Sequence, residues 1–184
     1  MRKLIESTFI SLDGDISHEL MNWAPPYWDD EHHEYEGKLL FSADALVLGR
    51  ETYDGFSVSW PQRSGYPYAD RMNSLPKYVA STSLDEPLEW NSTLIKGDIS
   101  EVVAELKGEY KRDILIAGSA GLVHTLIPLG VIDEYRLMIF PVVLGSGKRL
   151  FRDGIASLPL RLVHTAAFTS GVVVHAYEPD RSAR

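Results

Sequence analysis

Three short stretches carry residue types suited to holding an anion, and each closes an apolar run: "ALVLGRET" (45–52), "KYVASTS" (77–83) and "ILIAGSAG" (114–121). Glycine lets a ligand approach the backbone, Ser and Thr bring hydroxyl donors, and an arginine such as Arg50 can grip a phosphate as a two-pronged fork. In an open parallel sheet, ligands bind beyond the carboxyl ends of the strands, where a following helix points unpaired N–H groups at an anion. The same residue types also serve simply to turn a chain. Three coincident strand ends favour a cradle for a phosphate-bearing ligand, and spacing alone does not name that ligand.

The elements that must position these residues follow from periodicity and turn chemistry. "LIESTFIS" (Leu4–Ser11) predicts a strand ended by the Asp13-Gly14 turn, and "DDEHHEYEGKLLFS" (29–42) has helical composition. Ala45–Leu48 and Lys77–Ser81 read as short strands; residues 57–76, with three prolines and mixed aromatics, read as mostly loop with one helical turn at most. Asp98, three residues before Glu101, has the spacing of a capping box ahead of a helix that buries Val102, Val103 and Leu106. "DILIAG" (113–118) has the continuous apolar character of a strand buried on both faces, and "SAGLVHTLIPLG" (119–130) a helix with Ser119 as N-cap and Gly130 as C-cap. "EYRLMIFPVVLG", "RLVHTAAF" and "GVVVHAYEP" supply the last strands. Strands alternating with helices predict an α/β fold with a mostly parallel sheet and an antiparallel C-terminal edge, within one domain over residues 1–184.

Composition excludes several classes. The balance of 18 basic and 26 acidic side chains gives a net charge of −8 with no basic block, which argues against nucleic acid as a partner. There is no cysteine, so disulfides, Cys-ligated zinc and a thiol nucleophile are out. No run approaches the ~18 apolar residues of a membrane helix and the first residues lack a secretory core, so a cytoplasmic protein is expected, with no membrane partner. "GSGKRL" at Gly145 matches neither a dinucleotide fingerprint nor a Walker loop, and "GSAG" is not a nucleophile elbow. His32 and His33, some 100° apart on a helix, read as solvated surface, and no metal site is expected.

Taken in order, "SLDG", "LGRETYD", "PKYVAS" and "IAGSAGLVHTLIPLGVIDEYRLMIFPVVLGSGKRLF" resemble the dihydrofolate reductase-like superfamily, and within it the C-terminal reductase domain of riboflavin biosynthesis and its stand-alone relatives. The resemblance covers nearly the whole chain. It implies a dihydrofolate reductase-like three-layer α/β/α fold with about eight strands and an NADPH-dependent reductase. The substrate would be a small heterocyclic, pterin-like or ribosylaminopyrimidine-like molecule, the activity that of a 5-amino-6-(5-phosphoribosylamino)uracil reductase, and the assembly a homodimer. By the same resemblance, Gly49, Arg50 and Thr52 would hold cofactor phosphates, Arg50 the 2′-phosphate. Ser81 would lie near the adenosine half, and Gly118, Ser119, Ala120, Gly121 and Leu122 would set backbone N–H groups on the pyrophosphate. "SLDG" would border the nicotinamide, with Trp23 an aromatic near the cofactor.

Other readings stand beside these. For Arg50 the competing reading is a surface ion pair with Glu51 or Asp54, with the cofactor role favoured, and for Trp23 plain packing serves as well. The pterin-binding carboxylate of dihydrofolate reductases would fall near His33, with Glu34 and Asp30 close by. The acidic residue of the riboflavin enzymes ahead of "AG" is Ile116 here. Hydride transfer to a C=N or C=O carbon requires a proton at the neighbouring heteroatom, and Asp13 and Tyr53 are the expected donors. A nucleotide-binding protein that keeps the cradle without catalysis is the competing reading.

Overall fold

A computed structural model describes residues 2–16 and 20–182. In chain order the elements are β1 (Leu4–Ser11), α1 (Leu20–Trp23), a 3-10 turn (Pro25–Tyr27), α2 (Asp30–Ser42), β2 (Ala43–Gly49), α3 (Arg50–Ser59) and α4 (Pro67–Ser74). They continue with β3 (Lys77–Ala80), β4 (Ser92–Leu94), α5 (Ile99–Glu109), β5 (Asp113–Ala117), α6 (Ala120–Leu129), β6 (Glu134–Phe140), β7 (Leu160–Ala167) and β8 (Val173–Pro179). The strands form one sheet in the order β4-β3-β2-β5-β1-β6-β8-β7. It is parallel from β4 to β6, and β8 runs antiparallel to both β6 and β7. This is the three-layer α/β arrangement with an antiparallel C-terminal edge that the sequence predicts.

Alternation along the central strands sorts side chains to two helical layers. Ala45, Val47, Ile114 and Ile116 pack with Val103 and Leu106 of α5 and Leu122, Val123 and Leu126 of α6. On the opposite face Leu46, Leu48 and Leu115 pack with Leu39 and Leu40 of α2 and Met72 of α4. A third cluster closes the β6–β8 end around Phe140, Met138, Val172 and Val174. Asp29 caps α2 by accepting from the His32 N–H at 2.8 Å, and Asp98 caps α5 by accepting from the Ser100 N–H at 2.7 Å.

Four sequence expectations change. Residues 57–76 hold the end of α3 and all of α4, because Pro67 sits in the first helical turn, where a missing N–H costs nothing, and Ala69 and Met72 form a buried stripe. The three-residue β4 has too little pattern to announce itself; it exists by pairing with β3. The strand beginning at Glu134 stops at Phe140, ahead of Pro141. His33 is exposed as expected, but His32 is buried, its ring 5.2 Å from Phe9 and 6.1 Å from Phe140.

Candidate active site

Strands β2 and β5 are neighbours; β2 passes directly into α3, and β5 leads through Gly118 and Ser119 into α6, each helix ten residues long. Two helix N-termini therefore lie side by side at the carboxyl ends of adjacent strands. Gly118 and Ser119 both adopt left-handed backbone, φ 58° and 62°, which turns the chain sharply into α6. The Gly118 N–H donates to the Ser7 carbonyl at 3.1 Å, and the first bond inside α6 runs from the Val123 N–H to the Ser119 carbonyl at 3.0 Å. The N–H groups of Ala120, Gly121 and Leu122 precede that bond and are left for other acceptors. A Cβ built on Gly118 or Gly121 meets nothing within 4 Å, so the backbone there faces open space.

The two termini are joined through one hydroxyl. The Gly49 N–H donates to Ser119 Oγ at 3.0 Å, and that hydroxyl has Thr52 Oγ1 at 2.9 Å and the Ala117 carbonyl at 3.1 Å as alternative acceptors. Ser119 thus occupies the N-cap position without capping α6; its side chain fastens α3 to α6 instead. Gly49 is needed for close approach, since a Cβ there would lie 3.3 Å from Leu122 Cβ and 3.5 Å from Ser119 Cβ. Beside this cradle Arg50, half exposed, donates to Ser83 Oγ and pairs with Asp54 at 3.3 Å. Ser81 Oγ accepts from the N–H groups of Ser83 at 3.2 Å and Leu84 at 3.1 Å, completing a cluster of one guanidinium and two hydroxyls.

The two remaining sequence motifs form a single clip. Leu12 N–H donates to the Val142 carbonyl and Ile16 N–H to the Lys148 carbonyl, both at 2.8 Å. Asp15 packs so closely on Gly147 that a Cβ there would fall 2.1 Å from its carboxylate. The Asp13 carboxylate accepts from Ser11 Oγ at 2.7 Å, Leu144 N–H at 3.1 Å and Gly145 N–H at 2.7 Å, and Arg149 donates to the Asp13 carbonyl at 3.0 Å. These bonds, the Ser11 hydroxyl first, hold the Asp13 carboxyl down at about 2. A carboxylate held ionised by these bonds suits a loop anchor, and the structure shows Asp13 occupied in that way. Asp13→Asn is accordingly expected to lower the melting temperature and speed amide exchange at Leu144 and Gly145. The wild-type anchor is present above about pH 3.8 and lost as pH falls through about 2. Unchanged exchange at both amides would remove the anchor role.

Tyr53 is also turned away from the expected task. It is 7% exposed within the α2/α4-side core, and its hydroxyl accepts from the Glu89 N–H at 3.1 Å and lies 3.4 Å from the Glu89 carbonyl. Trp23 is a core residue, edge-on to Phe140 at 5.3 Å, with its indole N–H buried and unpartnered.

A polar cluster the sequence reading passed over lies on the inner stripe of α2. His32, Tyr35, Glu36, Leu39 and Leu40 recur at helical spacing, and Glu36 sits one turn beyond His32. Burial pushes the Glu36 carboxyl up to about 7 against the opposing Tyr68 hydroxyl and Arg136 guanidinium. Burial first, then neighbouring His33, pulls His32 down to about 4, against the pull of Asp29. Glu36 Oε1, the Tyr35 hydroxyl, His32 Nδ1 and Trp28 Nε1 are all buried without a hydrogen-bond partner. The signal was available: a carboxylate inside an otherwise inward-facing stripe. Among the described residues no group of three or more His, Cys, Asp or Glu is placed to hold a metal ion, and no helix is long and apolar enough to cross a membrane.

Comparison with known proteins places this geometry. The model of the RibD C-terminal domain matches residues 2–174. An uncharacterised Bacillus subtilis (strain 168) protein, YyaP, is 37% identical over 183 residues, covering 96% of this chain and 94% of that protein. A candidate riboflavin biosynthesis protein from Shewanella sp. PV-4 superposes with a TM-score of 0.75 at 24% identity, over 97% of this chain and 99% of that one. Enterococcus faecalis dihydrofolate reductase, solved with NADP(H), superposes with a TM-score of 0.62 at 16% identity, over 97% and 96% of the two chains. At those identities the two structural likenesses establish the fold.

Proposed function

The chain belongs to the RibD C-terminal domain family, and from that premise we propose that it is an NADPH-dependent reductase of a small heterocyclic substrate. One observation carries the reading: two helix N-termini joined through Ser119 at the ends of β2 and β5, with Arg50, Ser81 and Ser83 beside them. The donor set fits the cofactor. Free N–H groups at 120–122 suit a diphosphate, and a guanidinium flanked by hydroxyls suits the 2′-phosphate that distinguishes NADPH from NADH. The open space over Gly118 and Gly121 admits a phosphate against the backbone. The NADP(H) complex of the Enterococcus faecalis enzyme with the same fold supports the same choice.

When bound, the cofactor supplies a hydride. This chain's residues then have two tasks, to fix the phosphates at the strand ends and to deliver a proton to the heteroatom beside the reduced carbon. Glu36 is the group suited to the second. A carboxyl poised near 7 is still half protonated at neutral pH, and the Tyr68 hydroxyl and Arg136 guanidinium help it carry the charge left behind.

Mixing NADPH with a panel of pterins, flavin precursors and quinones, and following cofactor oxidation, tests the reading. Oxidation with at least one panel member is expected; binding of neither NADPH nor NADH would sink it, and binding without oxidation of any member would favour the non-catalytic alternative. With a turned-over substrate, kcat should fall as pH rises through about 7 as Glu36 loses its proton. Glu36→Gln should lower kcat on the order of 100-fold and abolish that alkaline limb. A limb that survives in the variant belongs to another group.

A further inference from the structure

The "GSGKR" segment has a role beyond the clip. Lys148 Nζ lies 2.7 Å from Glu51 Oε2, joining residues 97 positions apart. Lys148 belongs to the connection leaving β6, and Glu51 to the first turn of α3, which follows β2. In the sheet β5 and β1 lie between β2 and β6, so the ion pair reaches across the carboxyl end of β5, where Gly118, Ser119 and Ala120 form the cradle. The backbone of Lys148 is held on both sides. Its carbonyl accepts from Ile16 N–H at 2.8 Å, and His124 Nε2 of α6 lies 3.0 Å from the Arg149 carbonyl and 2.9 Å from that of Leu150.

We propose that Lys148 is a diphosphate-binding residue kept in place by Glu51: an incoming dinucleotide diphosphate displaces the Glu51 carboxylate and takes over its ion pair. This rests on the dinucleotide reading above. Both side chains are about half exposed or more, 48% and 65%, and ion pairs of that kind contribute little to stability, so the exchange costs little. A diphosphate offers more negative charge and more acceptor oxygens than a carboxylate. Glu51 occupies the position where the α3 dipole favours an anion, so in the free protein its carboxylate stands in for the phosphate that replaces it.

The exchange has a signature that a structural bridge lacks. If Lys148 and Glu51 merely braced the loop, removing either would act in the same direction. Displacement requires opposite effects: Lys148→Met should weaken NADPH binding about tenfold, and Glu51→Gln should strengthen it about threefold. The Glu51→Gln gain should vanish in the Lys148→Met background, since the Lys148–Glu51 pair is already gone; a simple change in surface charge would leave the gain intact. Lys148→Arg should restore affinity, and inorganic pyrophosphate should compete more weakly against the Lys148→Met variant than against wild type. Calorimetric titration of wild type and the four variants with NADPH and with pyrophosphate reads all of these. Wild-type binding with equal affinity in Lys148→Met overturns the exchange and leaves the dinucleotide reading standing; a wild type that binds neither NADPH nor NADH overturns both.

Discussion

Replacing Glu6 with leucine is expected to stabilise the protein, and to do so more at pH 8 than at pH 5. Glu6 lies in the middle of β1, paired in register with Ile116 on one side and Tyr135 on the other, and is wholly buried. Neither carboxylate oxygen has a hydrogen-bond partner. Burial alone drives its pKa well above 4.5. A carboxyl whose folded pKa is raised leaves the protein at its most stable below the unfolded value, about 4.5, and that stability is lost as pH rises toward the folded value. Leucine titrates nowhere, so the gap between variant and wild type should open across that interval. An unsatisfied buried polar group costs about 1–3 kcal/mol, roughly 2–10 °C in melting temperature for a chain of this size. Thermal melts of both proteins from pH 5 to pH 8 measure it. A variant less stable than wild type, or an equal difference at every pH, would overturn a Glu6 carboxyl that is buried, unpartnered and raised in pKa.

Arg50→Gln is expected to lower NADPH affinity roughly 10- to 100-fold while changing NADH affinity by no more than about threefold, as suits the loss of charged hydrogen bonds to a phosphate that only NADPH carries. The side chain is already aimed: Asp54 holds Nε at 3.3 Å, and the guanidinium reaches Ser83, whose N–H donates to Ser81. Lysine keeps the charge without the fork, so Arg50→Lys should fall between. Parallel titrations with the two cofactors decide the matter. An equal loss for both would assign Arg50 to the diphosphate or to α3 itself, and no loss for either would make the Asp54 pair its whole role.

The layers and the strand ends were legible because their signals are local. "DILIA" is apolar at every inward position on both faces, and the glycines and hydroxyls after β2 and β5 are consecutive in sequence. What escaped were features made by contact. Asp13 looks like a free acid until Leu144 and Gly145, more than 130 residues away, are seen to donate to it. Tyr53 is diverted by Glu89, and β4 exists only because β3 lies beside it. Glu36 was legible in principle from its place in the α2 stripe, but its proton affinity is set by its burial and by the opposing pull of Tyr68 and Arg136, residues that the sequence does not bring together. Ser119 was placed correctly at the N-cap position of α6, while its hydroxyl accepts from Gly49 at the entrance to the neighbouring helix and not from its own.

The central place of β1 has a consequence for how the chain is made. Its two neighbours are β5 and β6, with Leu4 opposite Ile114 and Ile5 opposite Glu134. On a ribosome adding about 5–20 residues each second, the first strand to emerge waits on the order of ten seconds before either partner exists. Both its edges are open in that interval, and the buried Glu6 at its middle is solvated and ionised. A charge on an unpaired strand discourages association with other nascent chains. The same residue that weakens the finished fold therefore keeps the waiting strand soluble, and a Glu6→Leu chain that melts higher should yield less soluble protein during synthesis.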